Sequence, residues 1–148
     1  FVIMSLDLNL YLRSVFMEKT FIMIKPDGVE RRLIGEVVSR IEKKGFTINQ
    51  AKLFQPSKDV VKEHYIEHEA RHFYGELVDY ISNGKVFAME VEGENVIEVM
   101  RLMIGNKDPK LASPGTLRGD FAFTIGENII HGSDSKESAD RELALWFK

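Results

Sequence analysis

The alternation of strand-like and helix-like segments constrains the fold of this chain more than any other feature. From Met17 onward, four stretches have the apolar pattern of strands, and helix-like stretches separate them. The predicted strands are 20–24, 46–54, 86–91 and 121–125. The first (TFIMI) is apolar on both faces and is therefore predicted to be a central strand. The order β-α-β-α-β-α-β favours a helix-covered sheet of the split βαβ kind, with a doubly wound parallel sheet as the competing topology.

Several of the predicted helices have recognisable ends. An apolar stripe from Leu33 to Ile41 predicts a helix that ends at Gly45 in the left-handed C′ position. Ser57 is the predicted N-cap of a polar helix that runs to about Tyr65. Further helices are predicted at about 73–81, 94–104 and 135–147. Residues 105–120 form a long loop with two prolines and three glycines, and such loops in compact domains are usually functional.

Composition limits the class of protein. The 148 residues are 44% hydrophobic and 29% charged, which is ordinary for one globular domain. There is no cysteine, so disulfides, zinc–cysteine sites and thiol catalysis are excluded, and a cytoplasmic location is expected. The net charge of −3 gives no reason to expect a dedicated nucleic-acid surface or a membrane surface. Any anion site must therefore be built locally from a few cations.

Residues 1–16 differ in character from the rest of the chain, and 17–148 is predicted to be a single domain. Three polar or charged residues interrupt the first segment well short of a membrane span, and no basic leader or small-residue cleavage site indicates a secretory signal. Its alternating leucines fit an edge strand; they are Leu6, Leu8, Leu10 and Leu12. The favoured interpretation is an N-terminal extension, non-native or accessory, without an assigned function.

His131 is the candidate nucleophile. It lies in the octapeptide NIIHGSDS, which is predicted to connect the last strand to the last helix, so its side chain should point into a crevice. An imidazole with a pKa near ~6.5 is largely neutral at cytoplasmic pH and can attack an electrophile. Free N–H groups at the start of the following helix favour a phosphate nearby. Glu142 lies off the buried stripe of that helix and is the candidate partner for the second ring nitrogen. The alternative is a histidine that only packs at a strand end.

Cations concentrate around the glycine-rich loop of an otherwise acidic chain. Arginine binds phosphate oxygens through two parallel hydrogen bonds, and lysine acts as a mobile point charge. Each cation alone is an ordinary surface charge, but together they indicate a polyphosphate site. The cations are Lys25, Arg101, Lys107, Lys110 and Arg118.

A competing metal site involves three histidines, His64, His68 and His72. A spacing of four residues would put their imidazoles on one face of an unbroken helix, as in a zinc site. The HExxH pattern is absent, since Tyr65 follows the first histidine. A polar helix face is the favoured interpretation, and no protein metal ligand is predicted.

Five sequence blocks, in their order and spacing, resemble those of nucleoside diphosphate kinases. The blocks are TFIMIKPDGVERRLIGEVVSRIEKKGF, the HY pair at 64–65, the interval from Arg101 to PGTLRGDF, NIIHGSDS, and ESADRELALWF. The resemblance covers nearly all of 17–148 and is far more specific than any single motif. It implies an α+β fold, namely a ferredoxin-like split βαβ sandwich whose four-stranded antiparallel sheet is covered by helices, and a single nucleoside diphosphate kinase domain.

The resemblance implies a phosphotransferase that moves the γ-phosphate of ATP or another nucleoside triphosphate to a nucleoside diphosphate and so maintains triphosphate pools. The mechanism would be ping-pong, through a phosphohistidine at His131. The other residues implied in catalysis are Lys25, Tyr65, Ser133 and Glu142. Those implied to bind nucleotide are Lys25, Phe73, Arg101, Lys107, Arg118 and Asn128. Mg²⁺ would be held mainly by nucleotide phosphates. The chain is expected to form a homo-oligomer, a hexamer in preference to a tetramer.

Two residues depart from the family pattern. Lys107 stands where the family usually has a threonine that contacts phosphate, so a charge contact would replace a hydroxyl contact. His72 replaces the usual proline before Phe73, which leaves the start of that helix less fixed. Two alternatives from other classes stay open at this point: a catalytically silent nucleotide-binding module of the same fold, and a metal-dependent hydrolase that uses the three histidines.

Overall fold

The computed structural model describes residues 7–12 and 17–148. Residues 7–12 are helical and their side chains are exposed. Leu8, Leu10 and Leu12 therefore do not form the edge strand that their alternation fits, and Leu6 lies outside the described residues. Alternating leucines form a strand only where a neighbouring strand takes up their backbone hydrogen bonds. The described sheet offers no such partner to this segment, because its four strands all lie between residues 17 and 132.

Four strands form one sheet. β1 spans Met17–Ile24, β2 Thr47–Phe54, β3 Val86–Glu94 and β4 Ile130–Gly132. Their order in the sheet is β2-β3-β1-β4, and every neighbouring pair is antiparallel. β1 and β2 therefore run parallel with β3 between them, and β3 and β4 run parallel with β1 between them. This is the split βαβ arrangement and the four-stranded antiparallel sheet that were predicted, and the parallel-sheet alternative is wrong.

Helices connect the strands and cover both sides of the sheet. The α-helices from residue 17 onward are α1 (Pro26–Glu30), α2 (Ile34–Lys44), α3 (Lys58–His64), α4 (Tyr74–Ser82), α5 (Val96–Ile104), α6 (Leu117–Phe121) and α7 (Lys136–Trp146). A 3₁₀ turn covers Ile66–His68. α2 ends at Gly45, whose φ of 100° is left-handed as predicted, and the Ser57 hydroxyl accepts the Val60 N–H at the start of α3. Across residues 7–12 and 17–148, no helix is long and apolar enough to cross a membrane.

β1 is buried on both faces, as a central strand should be. Ile22 and Ile24 belong to one apolar cluster, formed with α2 and α5. Phe21 and Met23 belong to a second cluster on the opposite face, formed with α3, α4 and α7. Alternate β1 side chains point to opposite faces of the sheet, so this strand joins the two cores. The residues at the end of β1 are thereby held in a rigid position.

The predicted fourth strand, Phe121–Ile125, is wrong. Phe121 ends the short helix α6, which the Thr116 hydroxyl caps, and the fourth strand is β4 instead. The apolar pattern misled because Phe123 and Ile125 are exposed, at 83% and 55%, rather than packed on the sheet. β4 is only three residues long, too short to show an alternation of its own. His131 therefore lies within a strand and not after one.

The three histidines do not share a helix face. α3 ends at His64, and a separate 3₁₀ turn contains His68. The Arg141 guanidinium donates to the backbone oxygens of Glu63 and His64, at 3.1 and 3.3 Å, and so satisfies the carbonyls where α3 stops. The unbroken helix that a zinc site would require is therefore absent, and with it the basis for the metal-dependent hydrolase.

Candidate active site

His131 is held by its Nε2 atom. The ring lies on β4, opposite Met23 of β1, and Nε2 is 2.8 Å from Glu142 Oε1 of α7. Because the carboxylate accepts the Nε2 proton, the neutral ring carries its lone pair on Nδ1. The His131 side chain is 22% exposed, whereas that of Glu142 is 4% exposed. The ring is thus partly exposed, while its Nε2 atom is bonded to a buried carboxylate.

The Ser133 hydroxyl holds the Glu142 carboxylate in position. Ser133 Oγ donates to Glu142 Oε1 at 2.8 Å, and the same hydroxyl lies 3.3 Å from the backbone N and O atoms of Phe21. Ser133 is 1% exposed and its own N–H donates to Phe21 O. β1 therefore positions the serine, the serine positions the carboxylate, and the carboxylate positions His131.

Lys25 directly follows β1 and is buried. Its Nζ atom donates to Asn128 Oδ1 at 2.8 Å. Burial and the neighbouring Arg118 charge lower the pKa of Lys25 to about 8, against the opposing effect of Asp27. The ammonium is consequently poorly hydrated but still mostly protonated near neutral pH. Such a cation attracts an incoming phosphate oxygen more strongly than an exposed lysine does.

Arg118 binds three backbone carbonyls. Its guanidinium donates to the oxygens of Asn128 at 3.3 Å, Gly105 at 3.1 Å and Ile130 at 2.7 Å. An arginine has five N–H donors, so two remain for a ligand. Burial and the neighbouring Arg101 charge together lower the pKa of Arg118 to about 10. The long loop and the segment before β4 are joined by this side chain.

The backbone between Asn128 and His131 makes a strained turn. Ile129 has a φ of 77°, a conformation that β-branched residues rarely adopt. The Ile130 N–H donates to Asn128 O at 2.9 Å, which closes a γ-turn around Ile129. Asp27 Oδ2 accepts the Ile129 N–H at 3.0 Å, and the Tyr80 hydroxyl donates to Asp27 Oδ1 at 2.7 Å. This turn sets the positions of the Asn128 amide and of the strand that carries His131.

Gly28 of α1 packs against the same turn. A Cβ atom at this position would lie 2.7 Å from Ile24 Cγ2 and 2.9 Å from Ile129 O. The Lys25 N–H donates to that Ile129 oxygen at 2.7 Å, so a side chain at residue 28 would disturb the contact between β1 and the turn. The segment Lys25-Pro26-Asp27-Gly28 is therefore a support for the site, whereas the sequence indicated only a turn.

A cavity of about 280 Å³ opens beside His131. Six of the predicted site residues line it: Tyr65, Arg101, Lys107, Arg118, His131 and Glu142. The Lys25–Asn128 pair lies next to this lining, since the Asn128 amide also donates to Lys107 O at 3.1 Å. Ser133 is not part of the lining and contributes through its hydrogen bond to Glu142. Of the five cations, Arg101, Lys107 and Arg118 line the cavity, whereas Lys25 and Lys110 are not part of the lining.

Two aromatic residues complete the surroundings of the cavity. Burial raises the pKa of Tyr65, which lines the cavity, and its hydroxyl oxygen is buried without a hydrogen-bond partner among the described residues. Phe73 lies outside the lining, with its ring 5.6 Å from that of His68, which does line the cavity. A larger space of about 800 Å³ shares Arg101 and Asp134 with this cavity but lacks His131. Size alone therefore does not identify the site.

Sequence comparison identifies the family. A family model for nucleoside diphosphate kinase matches residues 18–148. The chain belongs to the nucleoside diphosphate kinase family. It is 59% identical over 132 residues to a nucleoside diphosphate kinase of Macrococcus caseolyticus, with 89% of each chain covered. It is 60% identical over 131 residues to one of Brevibacillus brevis, with 88% of this chain and 89% of that relative covered.

Solved structures of nucleoside diphosphate kinases agree with the fold. A family protein from Babesia bovis superposes with a TM-score of 0.87 at 47% identity, and the match covers 88% of each chain. A nucleoside diphosphate kinase from Halobacterium salinarum, solved in complex with CDP, gives a TM-score of 0.86 at 44% identity with the same coverage. The ferredoxin-like fold is confirmed.

Membership in the nucleoside diphosphate kinase family assigns the reaction class. These enzymes transfer the γ-phosphate of a nucleoside triphosphate to a nucleoside diphosphate, and phosphotransfer is the function of this chain. Nucleoside diphosphate kinases generally need a divalent metal ion. The catalytically silent alternative is not favoured.

Proposed function

We propose that His131 carries the phosphoryl group in a ping-pong reaction between two nucleotides. The observation that supports this most is the 2.8 Å contact between His131 Nε2 and Glu142 Oε1. It leaves Nδ1 as the basic nitrogen of a ring that lines a cavity rich in cations. A covalent intermediate allows one cavity to serve donor and acceptor in turn.

The first half-reaction transfers phosphorus from oxygen to nitrogen. The Nδ1 lone pair attacks the γ-phosphorus of the triphosphate, an N–P bond forms, and the bond from that phosphorus to the bridging oxygen breaks. The nucleoside diphosphate leaves with the electron pair of that bond. In the second half-reaction, a terminal oxygen of another nucleoside diphosphate attacks the phosphorus, and the N–P bond breaks. Glu142 stabilises the positive charge that the ring acquires while it is phosphorylated, and Ser133 keeps the carboxylate in position.

Cations on the cavity wall, and Lys25 beside it, provide the electrostatic stabilisation. We assign the β- and γ-phosphates to Arg101 and Arg118, and the transferring phosphate to Lys25, because charge shifts between oxygens during transfer. The Tyr65 hydroxyl is a neutral donor beside them. Asn128, whose amide bonds Lys25 and Lys107 O, is assigned to the ribose hydroxyls together with Lys25.

Lys107 is assigned to phosphate in place of the threonine that is usual in the family. A long cationic side chain attracts phosphate from a greater distance than a hydroxyl does, but it holds the phosphate in a less fixed geometry. The contact should therefore depend on ionic strength.

Phe73 is assigned to the nucleobase. Its ring lies beyond the polar lining and packs near His68 and His72, with ring centroids 5.6 and 5.7 Å away. Stacking on an aromatic face does not distinguish well between bases, since every base has such a face. Broad nucleotide specificity is therefore part of the proposal.

Mg²⁺ is proposed to arrive on the nucleotide. This ion prefers six oxygen ligands and keeps several waters, often with substrate phosphates as its main ligands. The His64, His131 and Glu142 ligand atoms, which lie within 4.8 Å of one another, offer two nitrogens and a carboxylate already bonded to Ser133, and this set does not fit Mg²⁺. No protein metal ligand is assigned.

We further propose that residues 17–148 act as one domain in a homo-oligomer, a hexamer in preference to a tetramer. The resemblance to nucleoside diphosphate kinases supports this assembly. A cytoplasmic location is proposed because the sequence has no cysteine and the substrates are nucleotides.

Labelling with γ-labelled ATP in the absence of acceptor tests the nucleophile. The wild-type chain should take up acid-labile, base-stable label, and a nucleoside diphosphate should remove it as labelled triphosphate. His131→Ala should take up none. His68→Ala is the matched control, because His68 lines the same cavity without the Glu142 contact, and it should still be labelled. Binding of ATP without label in the wild type would refute the proposal.

A further inference from the structure

His64 has no role in the proposed mechanism, yet it contacts two of the residues that do. It ends α3 and is 4% exposed. Its ring centroid lies 4.6 Å from that of His131, with the two planes at 79°, and 4.5 Å from that of Tyr65, at 81°. It also lines the cavity. A side chain packed against both the proposed nucleophile and a cavity donor can influence the geometry of either.

Trp146 fixes the protonation state of His64. Its indole Nε1 lies 3.0 Å from His64 Nδ1. An indole N–H can only donate, so Nδ1 must be unprotonated, and the neutral ring must carry its proton on Nε2. Burial lowers the pKa of His64 well below its ordinary value, and the charges of His131, Arg141, Lys25 and His68 act in the same direction. The ring is therefore neutral with a single tautomer.

The same bond argues against a metal ion at this position. A metal-bound histidine normally donates its remaining N–H to an acceptor such as a carboxylate or a carbonyl. His64 instead receives a proton donor on its buried nitrogen, which is the opposite polarity. His131 Nε2 is likewise already bonded to Glu142. The cluster of His64, His131 and Glu142 thus suits a fixed arrangement of neutral and charged groups rather than a cation site.

The free nitrogen of His64 faces the side of the cavity. Among the described residues, the buried side-chain nitrogen and oxygen atoms that lack a hydrogen bond are Thr20 Oγ1, Tyr65 OH and His68 Nδ1. His64 Nε2 makes no hydrogen bond within the described part of the chain and is not one of these sealed atoms, so it retains access to the cavity that the ring lines.

We infer that His64 is a positioning residue for the phosphorylation of His131: Trp146 locks it as the Nε2–H tautomer, and in that state its ring holds the His131 imidazole edge-on in its bond to Glu142. The inference rests on the proposed function. Without this packing, the His131 ring can rotate away from Glu142 and Nδ1 is no longer aimed. Small misplacements of a reacting atom cost up to about 10²-fold in rate.

Loss of the Trp146 donor has a different consequence. His64 Nδ1 then lacks its partner, and the ring, which burial keeps neutral, is free to carry its proton on either nitrogen and to turn against His131. The groups that face His64 from the neighbouring elements are His131 on β4, Arg141 and Glu142 on α7, Lys25 after β1, and Tyr65 and His68 around the 3₁₀ turn. Because His64 stays neutral, loss of the donor should release its tautomer without adding an ionisation, and that tautomer is a readout that a purely structural role would not move.

Single-turnover phosphorylation by ATP, measured against pH on the full chain, tests the inference. Trp146→Phe should slow phosphorylation by about 10- to 100-fold throughout pH 6 to 8, while ADP affinity changes by less than about threefold. His64→Asn keeps an acceptor oxygen near the Nδ1 position for Trp146, so it should be slower than wild type but show no new ionisation. His64→Leu should be slower than His64→Asn at every pH. If Trp146→Phe and His64→Leu both keep the wild-type rate and pH profile, the inference is refuted.

Histidine side-chain ¹H–¹⁵N spectra give a test in which the measured protein is the wild-type chain and a variant serves only to assign the signal. The chain has four histidines, and the signal missing from His64→Asn identifies His64. It should stay the Nε2–H tautomer from pH 6 to pH 8. Ordinary titration of His64 in this range would overturn the inference alone. Absence of any phosphohistidine in the wild type would instead overturn the proposed function, whatever the tautomer.

Discussion

Asp27→Ala removes the carboxylate that supports the strained turn before His131. Asp27 Oδ2 accepts the Ile129 N–H at 3.0 Å and Oδ1 accepts the Tyr80 hydroxyl at 2.7 Å, in a side chain that is 8% exposed. Alanine offers neither oxygen, and the buried Ile129 N–H is left without an acceptor. The left-handed backbone of Ile129, at a φ of 77°, then loses the contact that opposes its relaxation.

The size of the effect follows from two opposed contributions. Hydrogen bonds to a charged group contribute about 1.5–3 kcal/mol each, so the loss of two costs about 3–6 kcal/mol. Backbone strain at one residue is worth about 1–3 kcal/mol, and relaxation of the turn returns part of it. We expect a net loss of about 2–4 kcal/mol in the free energy of unfolding. In a domain of this size, that is a fall of about 4–16 °C in Tm.

Urea denaturation followed by Trp146 fluorescence measures this loss, at one fixed protein concentration so that assembly contributes equally to each variant. Asp27→Asn is the matched control. Its amide oxygen can still accept the Ile129 N–H, and its NH₂ can donate to the Tyr80 oxygen, so we expect a loss of about 1 kcal/mol. Phosphorylation of His131 should slow in Asp27→Ala and stay closer to wild type in Asp27→Asn. An unfolding free energy for Asp27→Ala within about 0.5 kcal/mol of wild type would refute the argument.

Three further predictions concern the same site. Gly28→Ala should destabilise the fold by about 1–3 kcal/mol, because the new Cβ would lie 2.7 Å from Ile24 Cγ2 and 2.9 Å from Ile129 O. Gly35→Ala is the control and should not destabilise the fold, because a Cβ at residue 35 has no atom within 4 Å. Lys25 loses its proton as the pH rises through about 8 in the folded protein but only near 10.5 in the unfolded chain. The free energy of unfolding should therefore rise with pH in this window, while kcat/KM for ATP falls. Lys25→Arg should move the fall in kcat/KM to higher pH. If the fall stays at the same pH in Lys25→Arg, Lys25 is not its cause. Lys107→Thr should weaken ADP binding roughly threefold to tenfold at low salt and make the affinity less dependent on salt; Lys110→Thr should leave both unchanged, and equal effects of the two would contradict a specific Lys107 contact.

Most of the fold could be predicted because the main strand and helices have clear periods and ends. β1 is apolar on both faces over Phe21–Ile24, and Gly45 and Ser57 mark helix ends through their own backbone and side-chain chemistry. β4 could not be predicted, because three residues held in place by pairing with β1 have no periodicity. Pairing with a distant strand is tertiary information that a local pattern lacks. Exposed Phe123 and Ile125 supplied a false pattern instead.

The cavity residues were easier to predict than the residues that support them. His131, Glu142 and the cations stand out because imidazole, carboxylate and guanidinium groups have chemistry of their own. Asp27 and Tyr80 appear in sequence as part of a turn and part of an apolar helix, and only the fold brings them to the Ile129 turn. His64 was assigned to a polar helix face, although it is buried against Trp146. The HY pair at 64–65 was a signal for its importance, but not for its tautomer.

The site of phosphorylation within the His131 ring tests the account most directly. The phosphoprotein formed from the wild-type chain and ATP can be isolated and its ³¹P spectrum compared with those of histidine phosphorylated at Nδ1 and at Nε2. The contact of Nε2 with Glu142 requires phosphorus on Nδ1. Phosphorus on Nε2, or on a residue other than His131, would show that the carboxylate does not orient the ring during transfer.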